Sequence, residues 1–179
     1  MVRQVAERGK TREIGCSPEA LLPLALSRPR EVIEQARTLL ASRPDAEAVT
    51  YARQALGIAH RELGDLSTGL EQLRLACRAA SAAGIDRRVA DIQATTGATL
   101  AMAGRTQEAL TAFDLALNGT HGVDAARIRL RRAGVLRILG RYEEALDELR
   151  RTIRPLHQSG DALWAVSYTH LTLPTTPYV

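Results

Sequence analysis

The sequence predicts an all-α protein, a right-handed α-solenoid of about 3.5–4 antiparallel helix pairs. Three observations predict it. Turn glycines recur at Gly64, Gly104 and Gly140, 40 and then 36 residues apart. After each comes an apolar stripe stepped by three and four residues, a spacing that places its members on one side of an α-helix. In the stretch Met102–Leu117 the stripe is Ala109, Leu110, Phe113, Ala116 and Leu117; upstream it is Gly69, Leu70, Leu73, Ala76 and Cys77, and downstream Ala145, Leu146, Leu149 and Ile153. Composition is the third observation. Hydrophobic residues make up 45% of the chain and aromatic residues only 3%, so the core is built from Leu, Ala, Val and Ile, and each unit buries its stripe against a neighbour.

The elements follow in order. Residues 1–16 are charged and aperiodic, and a flexible tail is expected there. Ser17-Pro18-Glu19 reads as an N-cap with Pro at the first helical position and an acid in the first turn. A short helix to about Leu26 follows, and Arg28-Pro29-Arg30 turns the chain into a second helix that ends before Arg43-Pro44-Asp45. Three longer pairs are expected at Ala46–Leu63 with Leu66–Ala83, Arg87–Ala103 with Thr106–Asn118, and Asp124–Leu139 with Tyr142–Leu156. Thr106 with Glu108 makes an imperfect cap, because a capping box wants the acid three residues on. Pro155 lacks an amide, and a kink or an irregular last turn is expected there. Asp161–Ala165 begins a further helix.

Leu56-Gly57, Gly64, Leu73 and Ala76 recur as Gly97, Gly104, Ala109, Phe113 and Ala116, and again as Gly140, Tyr142, Ala145 and Leu146. Pro44 closes an earlier unit holding Val32, Ile33 and Leu40, and Trp164 falls where a first-helix Trp would open another. In these positions residues 18–165 resemble the tetratricopeptide repeat family. The first-helix Trp of that family is Arg53, Gln93 and Arg129 here. The spacing exceeds the family's roughly 34 residues, which implies longer second helices. The repeat domain is thus expected over 17–165. Val166–Thr175 carries no charge and no helical stripe, and it resembles one reading frame of a transposon-based sequencing adapter. Residues 166–179 are therefore expected to be a non-native tail, with the natural chain continuing past Ala165.

No catalytic pattern stands out. There is no Gly-rich phosphate loop, paired-His zinc motif or Gly-x-Ser-x-Gly elbow. Cys16 and Cys77 share no metal or redox spacing, and His60, His121 and His157 are isolated from one another. No cofactor, metal or catalytic residue is expected. His60 reads as a packed or snorkelling side chain, and Cys77 as a small hydrophobe on a buried stripe, which points to a reducing, cytoplasmic setting. No apolar run approaches the ~20 residues of a membrane span. Ala20–Leu26 is too short and lacks the cleavage site of a signal peptide.

Net charge is +4, and every cation except Lys10 is Arg. The densest basic cluster is Arg127, Arg129, Arg131, Arg132 and Arg137. These residues spread over more than one helix face, with no aromatic nearby except Tyr142, so a solvated face is expected ahead of nucleic-acid binding. Capture of an acidic peptide by some of these arginines is an intermediate option, because Arg forks pair bidentately with carboxylates. Glu143, Glu144, Asp147 and Glu148 with Arg150 and Arg151 likewise read as a solvated face of i,i+3 and i,i+4 pairs.

In the tetratricopeptide family the first helices line a concave groove that holds a peptide. The resemblance implies groove residues Tyr51, Gln54, Ile58, Arg61 and Glu62, then Ala94, Ala98, Ala101 and Met102, then Arg127, Leu130, Gly134 and Arg137. A small apolar middle between Arg flanks suits an apolar helix with acidic ends. The Lys and Asn pattern of the family's carboxylate clamp is absent from these positions. The expected function is a non-enzymatic interaction scaffold for a protein or peptide partner, with no membrane or nucleic-acid partner. Self-association through the uncapped last helix is also expected. Leu24-Ala25-Leu26-Ser27-Arg28-Pro29-Arg30-Glu31 and Gly160-Asp161-Ala162-Leu163-Trp164 are similar to repeat arrays that precede CHAT domains, caspase-like cysteine peptidase domains of actinobacterial proteins. The alternative is the sensor array of a large ATP-dependent transcription activator.

Overall fold

The computed structural model describes residues Ser17–Ser159. After a 3-10 turn at Pro18–Ala20 come eight α-helices: α1 (Leu21–Ser27), α2 (Pro29–Ala41), α3 (Ala46–Glu62), α4 (Leu66–Ala82), α5 (Asp86–Met102), α6 (Thr106–Leu117), α7 (Gly122–Ile138) and α8 (Tyr142–Ser159). No strand occurs among the described residues. The helix proposed at Asp161–Ala165 and the tails at 1–16 and 166–179 lie outside them.

One turn is used repeatedly. In the α5–α6 link, Gly104 takes φ 74°, its amide donates to the Ala101 carbonyl (3.1 Å), and the Arg105 amide donates to the Leu100 carbonyl (2.9 Å). This pair of bonds satisfies carbonyls that the last helical turn would otherwise leave open, and it needs a residue that tolerates positive φ. The α3–α4 link repeats it with Asp65 donating to the His60 carbonyl at 2.9 Å, and the α7–α8 link with Arg141 donating to the Leu136 carbonyl at 2.9 Å. Asp45 and Asp65 then cap the helices that follow, accepting the amides of Ala48 and Thr68.

Each helix packs on its neighbours in the chain; α3 also meets α1 and α5, and α5 meets α7. Within a pair, small residues let the helices close up. A Cβ added to Gly97 on α5 would lie 2.8 Å from the Phe113 ring on α6, and one added to Gly57 on α3 would lie 2.6 Å from Leu73 on α4. Phe113 and Leu73 are fully buried. Across pairs, one apolar cluster runs from α5 and α6 into α7 and α8, and polar links add to it. Asp114 on α6 accepts from Arg132 on α7 (2.9 Å), and Arg132 reaches Glu148 on α8 at 3.3 Å.

Several expectations are corrected. Glu148 belongs to no solvated face: it is buried, with Arg129 at 3.8 Å, Arg132 at 3.3 Å and Arg151 at 3.8 Å. Arg129 and Arg132 are accordingly drawn inward, because a buried carboxylate needs a compensating charge. The long second helix holds for α4 with 17 residues and fails for α6 with 12. That difference of five residues, offset by one more residue in the link to α7 than in the link to α5, accounts for the shortening of the repeat from 40 to 36 residues. Pro155 does not end α8, which runs to Ser159. Burial of Thr152 and Leu156 on either side of it holds the turn, and only one amide bond is forgone. Neither Ser17 nor Thr106 caps a helix with its side chain; the α6 N-cap is Arg105, whose guanidinium instead grips Glu108 through two bonds of 2.7 and 2.6 Å.

Candidate functional site

Turning successive helices back on one another leaves a concavity of about 1150 Å3 bordered by α1, α3, α5 and α7 and by the α6–α7 link. Its walls carry Glu19 and Leu22, Tyr51, the first turns of α5 from Asp86 to Ala94, the segment Asn118–His121, and Asp124, Arg127, Ile128 and Arg131. Apolar and charged side chains alternate along it.

Beneath it lies a buried polar cluster that fixes α5 to α3. Arg88 is 2% exposed. Its Nε donates to Thr50 Oγ1 (3.1 Å), one terminal nitrogen donates to Asp91 Oδ2 (2.6 Å), and the other donates to Gln54 Oε1. The Gln54 amide nitrogen donates in turn to Thr95 Oγ1 at 2.8 Å and to Asp91 Oδ2 at 3.2 Å. The guanidinium lies over the Tyr51 ring, 3.6 Å from its centroid. The Tyr51 hydroxyl donates to Glu19 Oε1 at 2.6 Å. Burial is the first cause that raises the Tyr51 pKa, and the bond to Glu19 the second. The phenol is therefore neutral and serves as a donor. A buried guanidinium is tolerated because its donors are met and an aromatic face covers it.

The α7 wall is cationic. Arg127 and Arg131 are four residues apart, so they share one face of the helix. Arg127 also pairs with Asp124 at 3.4 Å. Arg131 is exposed to solvent and lines the concavity. Desolvation pushes its pKa down, Arg61 and Arg127 push the same way, and Asp91 opposes them. Arg61, at the end of α3, holds Glu62 at 2.8 Å.

Of the groove residues implied by the sequence, Tyr51, Ala94 and Arg127 reach the walls. Gln54, Ile58 and Leu130 are buried and hold helices together. Ala98 is half-buried and packs on the core around Phe113. Met102 and Arg137 are exposed in the last turns of α5 and α7, outside the concavity. Arg88 and Asp91 were missed by the apolar periodicity. A signal for them exists in the sequence. Thr50 and Gln54 on α3, and Arg88, Asp91 and Thr95 on α5, recur at three and four residues, as a buried polar stripe would.

His60 and Cys77 have neighbours of their own. His60 faces Asp65 at 3.5 Å, and Cys77 packs beside Leu73 and Ala76 while Gln93 Nε2 donates to its sulfur at 3.4 Å. Among the described residues no group of three His, Cys, Asp or Glu side chains could hold a metal ion, and no helix is long and apolar enough to cross a membrane. No protein-family model, curated protein or solved structure matches this chain.

Proposed function

We propose that the helix pairs stack as a right-handed tetratricopeptide-like α-solenoid that works as a non-enzymatic interaction scaffold, taking up a segment of a partner protein in the concavity. Two features support the stacking: the turn repeated at Gly64, Gly104 and Gly140, and the contacts of alternate helices α1, α3, α5 and α7. The observation that carries the function is the open concavity of about 1150 Å3, whose floor is locked by the Arg88 cluster. A rigid floor under an accessible wall lowers the ordering cost of binding. Mixed apolar and charged walls suit a peptide, which offers both kinds of group.

The test is selection of peptides from a random display library on the full chain. Selected peptides should lose binding to Ala90→Trp, which fills the concavity from its α5 wall. Peptides that bind this variant as well as the wild type would refute the reading. So would peptide hydrolysis that disappears in Cys77→Ala.

A further inference from the structure

We propose that the outer face of α8 pairs with the same face of a second copy of this chain, the two helices running antiparallel across a two-fold axis near Leu149. Tyr142, Leu146 and Ile153 follow one another at four and seven residues, so they share one side of the helix. All three are exposed. With Ile138 and Leu139 at the end of α7 they make up five of the nine large hydrophobics exposed among the described residues. The preceding pair shows what such a face receives. Leu110 and Leu117 stand 36 residues before Leu146 and Ile153. On α6 they are covered: Leu110 is 2% exposed, and Leu117 packs on the cluster that α7 completes. Leu146 is 39% exposed, and α8 packs chiefly on α7. Its outer face is thus shaped to seat another helix.

Charge identifies the occupant. Glu143 and Arg154 lie eleven residues apart, about three helical turns, and so share one flank of the apolar stripe. Neither pairs with another side chain among the described residues, whereas Asp147 and Arg150 between them already hold each other at 2.9 Å. A two-fold axis across α8 brings Glu143 of each copy to Arg154 of the other and sets Leu146 against Ile153. Parallel pairing would instead put acid on acid and base on base. A partner of another kind must supply the matching charges itself; a second copy carries them already. Among the described residues none on α8 lines the concavity. Pairing therefore leaves it open in both copies, and the inference does not depend on what the concavity binds.

The experiment is sedimentation equilibrium of the full chain over a concentration series. Wild type should pass from monomer to dimer as concentration rises. Leu146→Lys should weaken the dimer about tenfold or more while keeping the wild-type circular dichroism spectrum. Glu143→Arg alone and Arg154→Glu alone should each weaken it about tenfold, because two pairs are lost and like charges meet. The double variant Glu143→Arg, Arg154→Glu should recover wild-type affinity, and the two single variants, when mixed, should pair with each other. A monomer at every concentration would overturn the proposal; Leu146→Lys melting well below that monomer would then assign the face to residues of the same chain. A dimer that survives Leu146→Lys would place the contact elsewhere. A dimer lost in Leu146→Lys but not recovered in the double charge swap would sink the antiparallel arrangement.

Discussion

The Arg88 guanidinium stacks on the Tyr51 ring at 3.6 Å, and this pair ties α5 to α3 beneath the concavity. Arg88 is nearly inaccessible, so its removal leaves Thr50, Gln54 and Asp91 facing a gap. Asp91 is half-exposed and recovers water, which moderates the loss. Arg88→Met should cost roughly 2–3 kcal/mol, read from urea unfolding. Tyr51→Phe removes only the bond to Glu19 and should cost about 1 kcal/mol. Equal effects of the two variants would mean that the stacking and the fork contribute nothing.

Gly97 lies against Phe113 where a methyl group has no room. Gly97→Ala should therefore destabilise by about 1–3 kcal/mol, although Ala is the better helix former. Combining it with Phe113→Leu should cost less than the sum of the two single changes, because the smaller side chain admits the new Cβ. Strict additivity in the double-mutant cycle would place the two residues apart.

The helical pattern was legible because it rests on backbone and volume. A turn that needs positive φ asks for Gly at 64, 104 and 140, and a stripe of Ala, Leu and Phe at helical spacing has no other use. The site was less legible because an apolar pattern treats polar residues as solvent-facing. Arg88, Gln54 and Glu148 break that assumption: each is buried with partners supplied by another helix, and those partners lie up to 41 residues away, as for Gln54 and Thr95. The five arginines of α7 divide in the same way. Arg129 and Arg132 turn to Glu148, Arg127 and Arg131 to the concavity, and Arg137 to solvent. The helical spacing separates the two faces, but only the packing of α8 says which face is inward.

Ala109 is fully buried between α5 and α6, whereas its neighbour Glu108 is exposed. Ala109→Arg should cost more than ~3 kcal/mol, because it forces an unpaired charge into a tight helix contact. Glu108→Ala should leave the melting midpoint almost unchanged. Similar melting curves for the two variants would contradict the register of α6.

Asp65 makes stability at the start of α4 depend on pH. Its carboxylate accepts the Thr68 amide at 3.0 Å and the Ser67 hydroxyl at 3.0 Å. Hydrogen bonding from Thr68 comes first among the causes that lower its pKa from 3.8 to about 2. The folded chain thus holds the proton more weakly than the unfolded chain does. The contribution is fully present above the unfolded value and is lost as the pH falls through the window from 3.8 to about 2. Asp65→Ala should melt below wild type at neutral pH, with the gap narrowing across that window. Asp65→Asn keeps an oxygen that can cap α4 but has nothing to titrate, so its melting temperature should fall less steeply than that of wild type between the same limits. Parallel pH profiles for wild type and Asp65→Asn would show that the Asp65 charge plays no part in holding the first turn of α4.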